Sequence, residues 1–269
     1  MPLTMALAPN HTALAIAWRF AKKEFASRYR ASLLGLGWYV VTPLVMVAVY
    51  TLVFFFIFQP KSAGAPRAAG PLQFAVELWA GLALFLAFSD LCVRASRVIH
   101  EQANLVRKVV FPLASLVLST WMMMGFMLII YLGLLFVLTL IAGITISTTW
   151  ATIFPVLVIF FLNALGFAFV LAAVGAYIRD LGHLMPAALG MLMFLTPVFY
   201  QARQAPAAFQ ALLKFNPLTW PIEALRGAIL HQSPPTANES IIYALASLAI
   251  LGLGFAFFQR VRRGFADLL

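Results

Sequence analysis

Long apolar runs dominate the chain, and short polar segments separate them. A helix needs about 20 apolar residues to cross a bilayer, so these runs predict membrane-spanning helices. Six such spans are expected, at about 36–58, 72–93, 113–142, 151–177, 184–200 and 241–258. No charged residue occurs from residue 109 to residue 178, where only a Thr/Ser-rich stretch at 143–150 separates two spans. The pattern predicts an all-α polytopic membrane protein whose residues 1–269 form a single transmembrane domain.

Residues 13–33 have a different, amphipathic pattern. At about 100° per residue, an apolar stripe lies beside an arc that carries Arg19, Lys23 and Arg30, with Glu24 on the far side. The stripe consists of Leu14, Trp18, Ala21, Phe25 and Tyr29. We expect an N-terminal helix in the membrane interface, with its aromatic face at the acyl boundary. Two interpretations stay open: a simple anchor, or a cationic lip that receives an anionic lipid headgroup.

The segment 201–238 lies between the last two predicted spans and is too polar to be a span itself. It contains two candidate short helices, about 206–214 and 217–230, each with a proline near its start. Both are too short to cross a bilayer, so they lie at an interface or are re-entrant, which requires surrounding protein or water. The pair is predicted to be either a gate or a packed extracellular hairpin without moving parts.

The segment 104–112 contains two adjacent basic residues and ends at a proline. Arg107 and Lys108 stand there between the second and third predicted spans. They satisfy the preference for basic cytoplasmic loops, or they form a handle that a short helix presents to a cytosolic partner. We favour the handle, because two flanking spans would transmit its displacement into the membrane.

Composition and charge agree with a membrane protein. The 269 residues are 64% apolar and 10% charged, whereas soluble domains are about half apolar and about a quarter charged. A net charge of +10 would suggest nucleic acid binding in a soluble protein, but cytoplasmic loops of membrane proteins collect Lys and Arg. Placing both termini in the cytoplasm puts 13 of the 18 Lys and Arg residues on that side. We therefore expect cytoplasmic termini and no nucleic acid partner.

The sequence offers little catalytic chemistry. The predicted spans carry no midplane carboxylate or histidine for a proton relay, and the four histidines are scattered. A nucleophile elbow, a paired-carboxylate site and the phosphate-binding loop G-x-x-x-x-G-K-[ST] are also absent from the sequence. We expect a transport subunit rather than an enzyme, with no metal or cofactor on this chain. Uphill transport would then draw on ATP and Mg²⁺ bound by another polypeptide.

Five motifs together resemble the membrane subunits of polysaccharide-exporting ABC transporters, which handle O-antigens, teichoic acids and capsules. They are residues 28–35 followed by Trp38 and Pro43, 104–108 followed by Phe111 and Pro112, 177–180, 196–200, and Asn216 and Pro217 followed by Glu223 and Arg226. Each motif alone is weak, but the five occur in the family's order and the match covers nearly the whole chain.

The resemblance implies a homodimer in the bacterial inner membrane, associated with two copies of a cytosolic ATPase. The implied substrate is a glycan on undecaprenyl diphosphate, with O-antigen as the first expectation, and it would pass along the dimer interface. The resemblance assigns ATPase coupling to Asn104, Leu105, Val106, Arg107, Lys108 and Phe111. It assigns the extracellular gate to Asn216, Pro217, Glu223 and Arg226.

Side-chain chemistry predicts two further sets of functional residues, one for headgroup binding and one for lining the channel. Arginine and lysine hold phosphate groups through charge-assisted hydrogen bonds, which predicts diphosphate headgroup binding by Arg19, Lys23, Arg28 and Arg30. The C–H faces of sugars pack on aromatic rings. The predicted channel-lining residues are therefore Trp38, Tyr39, Tyr50, Phe54, Phe194, Phe199 and Tyr200.

Three alternatives stay open at this point. The exporter could serve capsule or teichoic acid, because such transporters share the same motifs. It could serve a small molecule, because the fold alone does not determine the substrate. A membrane-embedded lipid-glycan enzyme is the least favoured, because such enzymes carry carboxylates or arginine clusters in large aqueous loops and the largest loop here is 201–238.

Overall fold

The computed structural model describes residues 10–27, 33–57, 70–108, 111–230 and 235–265. All regular secondary structure in these ranges is helical. The α-helices are α1 Asn10–Ser27, α2 Trp38–Thr51, α3 Pro71–Glu101, α4 Ala103–Lys108, α5 Ala114–Ile141, α6 Ile153–Tyr177, α7 Leu181–Phe194, α8 Ala207–Leu213, α9 Thr219–Ile229 and α10 Ala237–Val261. A π-helical segment, Leu52–Ile57, continues α2.

Five helical segments are long and apolar enough to cross a membrane. They are Trp38–Ile57, Pro71–Glu101, Ala114–Ile141, Thr148–Tyr177 and Ala237–Gly264. The predicted all-α, multi-pass architecture is therefore confirmed. The second of these segments continues well beyond residue 93, where the sequence pattern had placed its end, so that Arg94 and Arg97 are helical.

The sixth predicted span, 184–200, is not confirmed. Helix α7 is apolar but has 14 residues, about 21 Å at 1.5 Å per residue, against a hydrocarbon thickness of about 30 Å. The helix ends at Phe194, and residues 195–200 form turns and bends. Pro197 explains the difference, because proline disfavours the helical conformation of the residue before it and cannot donate a backbone hydrogen bond.

Helix α3 is the central element of the described structure. It packs against α5, α6, α7 and α9, and contacts α2 as well. Most of its side chains are buried, among them Trp79, Leu82, Phe85 and Leu91. A helix that is apolar on all sides is buried by its neighbours, in agreement with this position.

Glycines allow α6 and α10 to cross with their backbones in contact. A Cβ atom added at Gly254 would lie 2.5 Å from the carbonyl oxygen of Gly166, closer than atoms can approach. Across the same interface, Asn163 Nδ2 donates to Ser247 Oγ at 3.3 Å. Small residues at close helix crossings and interhelical polar contacts are typical of packing within membranes.

Helix α1 packs on the protein through part of the face that was expected at the acyl boundary: Ala21 is fully buried, whereas Leu14 and Trp18 are 48% and 51% exposed. Trp18 meets Phe126 of α5 with ring centroids 5.3 Å apart, and Phe25 stacks on Tyr39 of α2 at 5.0 Å. Aromatic partners from α5 and α2 therefore contact this face, and its placement at the acyl boundary stays a prediction. Glu24, expected on the far side of the helix, forms an ion pair with Arg94 of α3. The predicted continuation through 28–32 lies outside the described residues.

The close contact at Gly254 predicts that a larger residue at this position of α10 destabilises the protein. We expect Gly254→Val to lower the stability of the detergent-solubilised chain by about 1–3 kcal/mol, because the added side chain would force α6 and α10 apart. The measurement is the thermal midpoint of the monodisperse peak in size-exclusion chromatography. Gly252→Val is the matched control, because no atom lies within 4 Å of a Cβ built there. Equal midpoints for the two variants would contradict the close crossing.

Candidate functional site

The guanidinium of Arg226 on α9 is the most highly connected charged group in the described structure. The residue is 2% exposed. Its five N–H donors match five acceptors, of which one is the carboxylate of Glu223 at 2.9 Å. The other acceptors are backbone carbonyls at 2.9–3.2 Å, those of Glu77, Pro197, Val198 and Tyr200. We call Glu77, Pro197, Val198, Tyr200, Gln201, Glu223 and Arg226 the Arg226 cluster.

The Arg226 cluster explains how irregular backbone is tolerated next to α3. The carbonyls of Pro197, Val198 and Tyr200 belong to no helical hydrogen-bond ladder, and buried carbonyls without a partner are costly. One arginine satisfies all three and fixes the turn against α3. Gly81 leaves the space for this approach, since a Cβ there would lie 3.0 Å from Arg226 Nη2.

Polar side chains extend the cluster beyond Arg226. The Glu223 carboxylate also accepts from the backbone N–H of Ala202 at 3.3 Å, and the Gln201 amide donates to Glu77. The Tyr200 hydroxyl donates to the Phe194 carbonyl at 3.2 Å.

All four predicted gate residues belong to this region. The Asn216 side chain donates to Leu195 O at 3.0 Å and to Thr196 Oγ1 at 2.8 Å, and accepts from Leu218 N at 2.9 Å. The Pro217 carbonyl accepts from the Tyr243 hydroxyl of α10. Together with Glu223 and Arg226, these contacts join the end of α7 to α9 and α10. They describe a packed arrangement, and a gating movement stays a prediction.

Four of the predicted channel-lining residues form one aromatic cluster, consisting of Tyr50, Phe54, Phe194 and Phe199. Phe199 is its centre: the ring stacks on Phe54 at 4.5 Å and lies 5.5 Å from Tyr50 and 5.7 Å from Phe194. The cluster joins the end of α2 to α7 and the turn after it.

The other three predicted lining residues lie elsewhere. Trp38 begins α2 and is partly exposed, and Tyr39 is 4% exposed and stacked on Phe25. The Tyr200 ring lies 6.2 Å from Phe209. Tyr39 is therefore a packing residue within this chain, because the ring of Phe25 covers it.

Two of the predicted headgroup ligands lie within the described residues. Arg19 and Lys23 are exposed on α1, one helical turn apart, so their charged groups share one face. Arg28 and Arg30 lie outside the described residues. A role in headgroup binding stays a prediction for all four.

The predicted coupling segment contains a short helix, α4, directly after α3. Asn104 on it is exposed and Leu105 is half-buried. The side chains of Val106, Arg107 and Lys108 lie outside the described part of the structure. Phe111 meets Phe20 of α1 edge to face at 6.0 Å, so the N-terminal helix contacts this segment. Coupling itself stays a prediction.

The sequence patterns missed a second ionic group at the other end of α3. Arg94 donates to Asp90 Oδ2 at 2.6 Å and pairs with Glu24, and we call these three residues the Arg94 cluster. The four-residue spacing of Asp90 and Arg94 was the available signal for the first pair. Nothing local indicated Glu24, because its partner lies on another helix.

The contacts of the Arg226 cluster predict a large loss of stability when Arg226 is replaced. We expect Arg226→Met to destabilise the solubilised chain by about 3–5 kcal/mol, because it leaves buried carbonyls and the Glu223 carboxylate without their donor. The measurement is the free energy of unfolding in mixed detergent. Lys214→Met on an exposed residue is the control, with an expected change within about 0.5 kcal/mol.

A double-mutant cycle with Glu223→Gln isolates the pair. The double variant should lose less stability than the two single changes added together, because they share one contact. Additive losses, or an Arg226→Met variant as stable as the control, would contradict the role of the cluster.

Comparison with known proteins places these features in a family. The sequence profile of the ABC-2 type transporter family matches residues 17–230. An O-antigen export system permease protein RfbA from Myxococcus xanthus is 26% identical over 250 residues, covering 91% of this chain and 92% of the relative. A protein of the same name from Klebsiella pneumoniae is 23% identical over 248 residues, 92% of each chain. With the match covering most of the chain and five apolar helices of spanning length, the protein belongs to the ABC-2 type transporter family of multi-pass membrane proteins.

Proposed function

We propose that this chain is the channel-forming transmembrane subunit of an ATP-driven exporter of lipid-linked polysaccharide. The observation that carries the proposal is the match, over about nine-tenths of both chains, to relatives named as O-antigen export permeases. The proposed substrate is O-antigen on undecaprenyl diphosphate, and the proposed location is the bacterial cytoplasmic membrane with both termini in the cytosol. An excess of Lys and Arg in the connectors on that side supports this orientation.

The energy for export would enter through α4. The sequence has no phosphate-binding loop of its own, so ATP and Mg²⁺ would be bound by two copies of a cytosolic ATPase. Helix α4 follows α3 after a single residue, and the Phe20–Phe111 contact connects the same segment to α1. A push on α4 would therefore reach both the central helix and the N-terminal helix.

The substrate path would form between two copies of the chain. Helix α2 is the least covered of the early spans, with Val40, Leu44, Val45 and Val49 exposed in the monomer, as expected for a surface that a second copy or lipid covers. The aromatic cluster at the end of α2 offers rings on which sugar C–H faces pack. The diphosphate would approach Arg19 and Lys23 on α1, together with Arg28 and Arg30.

In this arrangement α7 and the turn 195–200 complete a sixth, partly irregular crossing. Such backbone is tolerated within a membrane only where protein or water surrounds it, and the Arg226 cluster supplies the protein partners. Helices α8 and α9 would then lie at the outer side as the gate. The first contacts to open would be those of Asn216 and Pro217 with the end of α7 and with α10.

The proposal predicts that coupling depends on the charge of α4. In a strain that lacks the chromosomal gene, the wild-type gene should restore surface polysaccharide, and Arg107→Ala with Lys108→Ala should not. The variant should still insert into the membrane, because its spans are unchanged. Co-purification of the ATPase and immunoblotting of surface polysaccharide are the two measurements.

The pair Arg262→Ala and Arg263→Ala is the matched control, since it removes the same charge from the exposed end of α10. This control should leave export within about twofold of wild type, because exposed charges contribute little to the stability of a protein. Unchanged surface polysaccharide in the deletion strain would refute the proposed function. Normal ATPase association and export by the α4 variant would refute only the coupling role.

A further inference from the structure

A basic cleft of about 440 Å³ opens where the end of α3 meets the turn between α6 and α7. Its polar lining consists of Arg97, Arg179, His100, His183, Ser96 and Glu101. Four of these side chains are basic or can become so, and only one is acidic. The cleft borders α4 through Ala103, but its polar lining residues are not among those to which we assigned coupling, gating or headgroup binding.

Arg97 is held in a fixed orientation at the cleft. Its Nε donates to the carbonyl oxygen of Gly182 at 2.9 Å, and Nη2 donates to the same oxygen. Gly182 is needed for this approach, because a Cβ there would lie 2.5 Å from Arg97 Cγ. Guanidinium has five N–H donors, so three remain for an incoming acceptor. An immobilised guanidinium is suited to phosphate, which it can bind with two parallel hydrogen bonds.

The side chain of His100, which also lines the cleft, has a nitrogen without a hydrogen-bond partner in the described part of the chain. Its Nε2 atom is buried and has no hydrogen-bond partner among the described residues. Buried polar nitrogens are nearly always bonded, so an acceptor from outside the chain would complete this one. Nε2 of a histidine can donate a hydrogen bond to an anionic oxygen. A phosphate group bound by Arg97 would therefore also satisfy His100 Nε2.

Helix α7 adds a further preference for negative charge. Its N-terminal end lies at the cleft, with His183 in the first turn and Arg179 just before the helix. The first turn of a helix carries partial positive charge and binds phosphate oxygens in many proteins. Arg97 and His100 on α3, and the N-terminal end of α7, thus approach one volume from two elements.

We propose that this basic cleft binds a phosphate or diphosphate group. The anion would accept hydrogen bonds from Arg97 and from His100 Nε2, with Arg179 and His183 at its rim. Two sources share this chemistry: the headgroup of a diphosphate lipid, and free phosphate or nucleotide from the aqueous phase. The binding site stands on the cleft alone and does not depend on the proposed export function.

The test is titration of the full chain in phosphatidylcholine nanodiscs with inorganic pyrophosphate, followed by isothermal calorimetry. Wild type should bind, and His100→Leu, which removes the donor, should bind about tenfold more weakly or worse, as for the loss of one hydrogen bond to a charged group. His183→Ala is a second variant on an exposed residue, whose folding is not at risk, and it should also weaken binding because it removes the side-chain donor.

Arg260→Gln is the matched control, because it removes a charge from an exposed position on α10 outside the cleft. It should change the affinity by less than about twofold. No binding to wild type would overturn the proposal, as would equal weakening in His100→Leu and Arg260→Gln. Loss of ATPase association in the histidine variants without any loss of pyrophosphate affinity would also overturn it, since the cleft would then be a protein contact.

A second set of nanodiscs that contains an isoprenyl diphosphate distinguishes the two sources. If the lipid competes with pyrophosphate in wild type, the cleft takes a headgroup. If pyrophosphate affinity is unchanged by the lipid, the cleft takes a free phosphate. Either result supports an anion site, and only the source differs.

Discussion

The cost of placing charge in hydrocarbon determines where this chain can hold polar chemistry. Along α3, the Arg226 cluster includes Glu77 and the Arg94 cluster includes Asp90. Between those two residues the sequence of α3 has no charge, and the helix from Glu77 to Asp90 rises about 20 Å, which lies within the hydrocarbon thickness of about 30 Å. The ionic contacts are therefore confined to the two ends of the central helix, and apolar packing holds the middle.

This division gives each end of α3 a different task in the proposed cycle. At one end, Arg226 fixes the irregular turn after α7 and holds α9 in place. At the other end, Arg94 ties α1 to α3, and α4 follows directly. A helix that is buried on all sides and attached at both ends moves as a rod. In the proposed exporter, a displacement of α4 by the ATPase would reach the gate region through this rod.

The sequence predicted the features that depend on local composition. The five long spans follow from apolar runs. The short α4 was predicted because basic residues interrupt the apolar sequence shortly before Pro112. The length of α7 was misjudged because its end depends on Pro197 and on carbonyls that Arg226 binds from another helix. The protein contacts of α1 were not predicted for a related reason: periodicity shows that Trp18 and Phe25 share a face, but not that Phe126 packs against both. The meeting of Phe54 with Phe199 likewise depends on the tertiary structure.

In the proposed function the chain is a conduit without its own source of energy. The most direct measurement reconstitutes the purified chain in liposomes with lipid-linked polysaccharide, with and without its ATPase, and follows the appearance of glycan on the opposite face. We predict transport only when both the ATPase and ATP are present. Transport at the full rate by the chain alone would contradict the account.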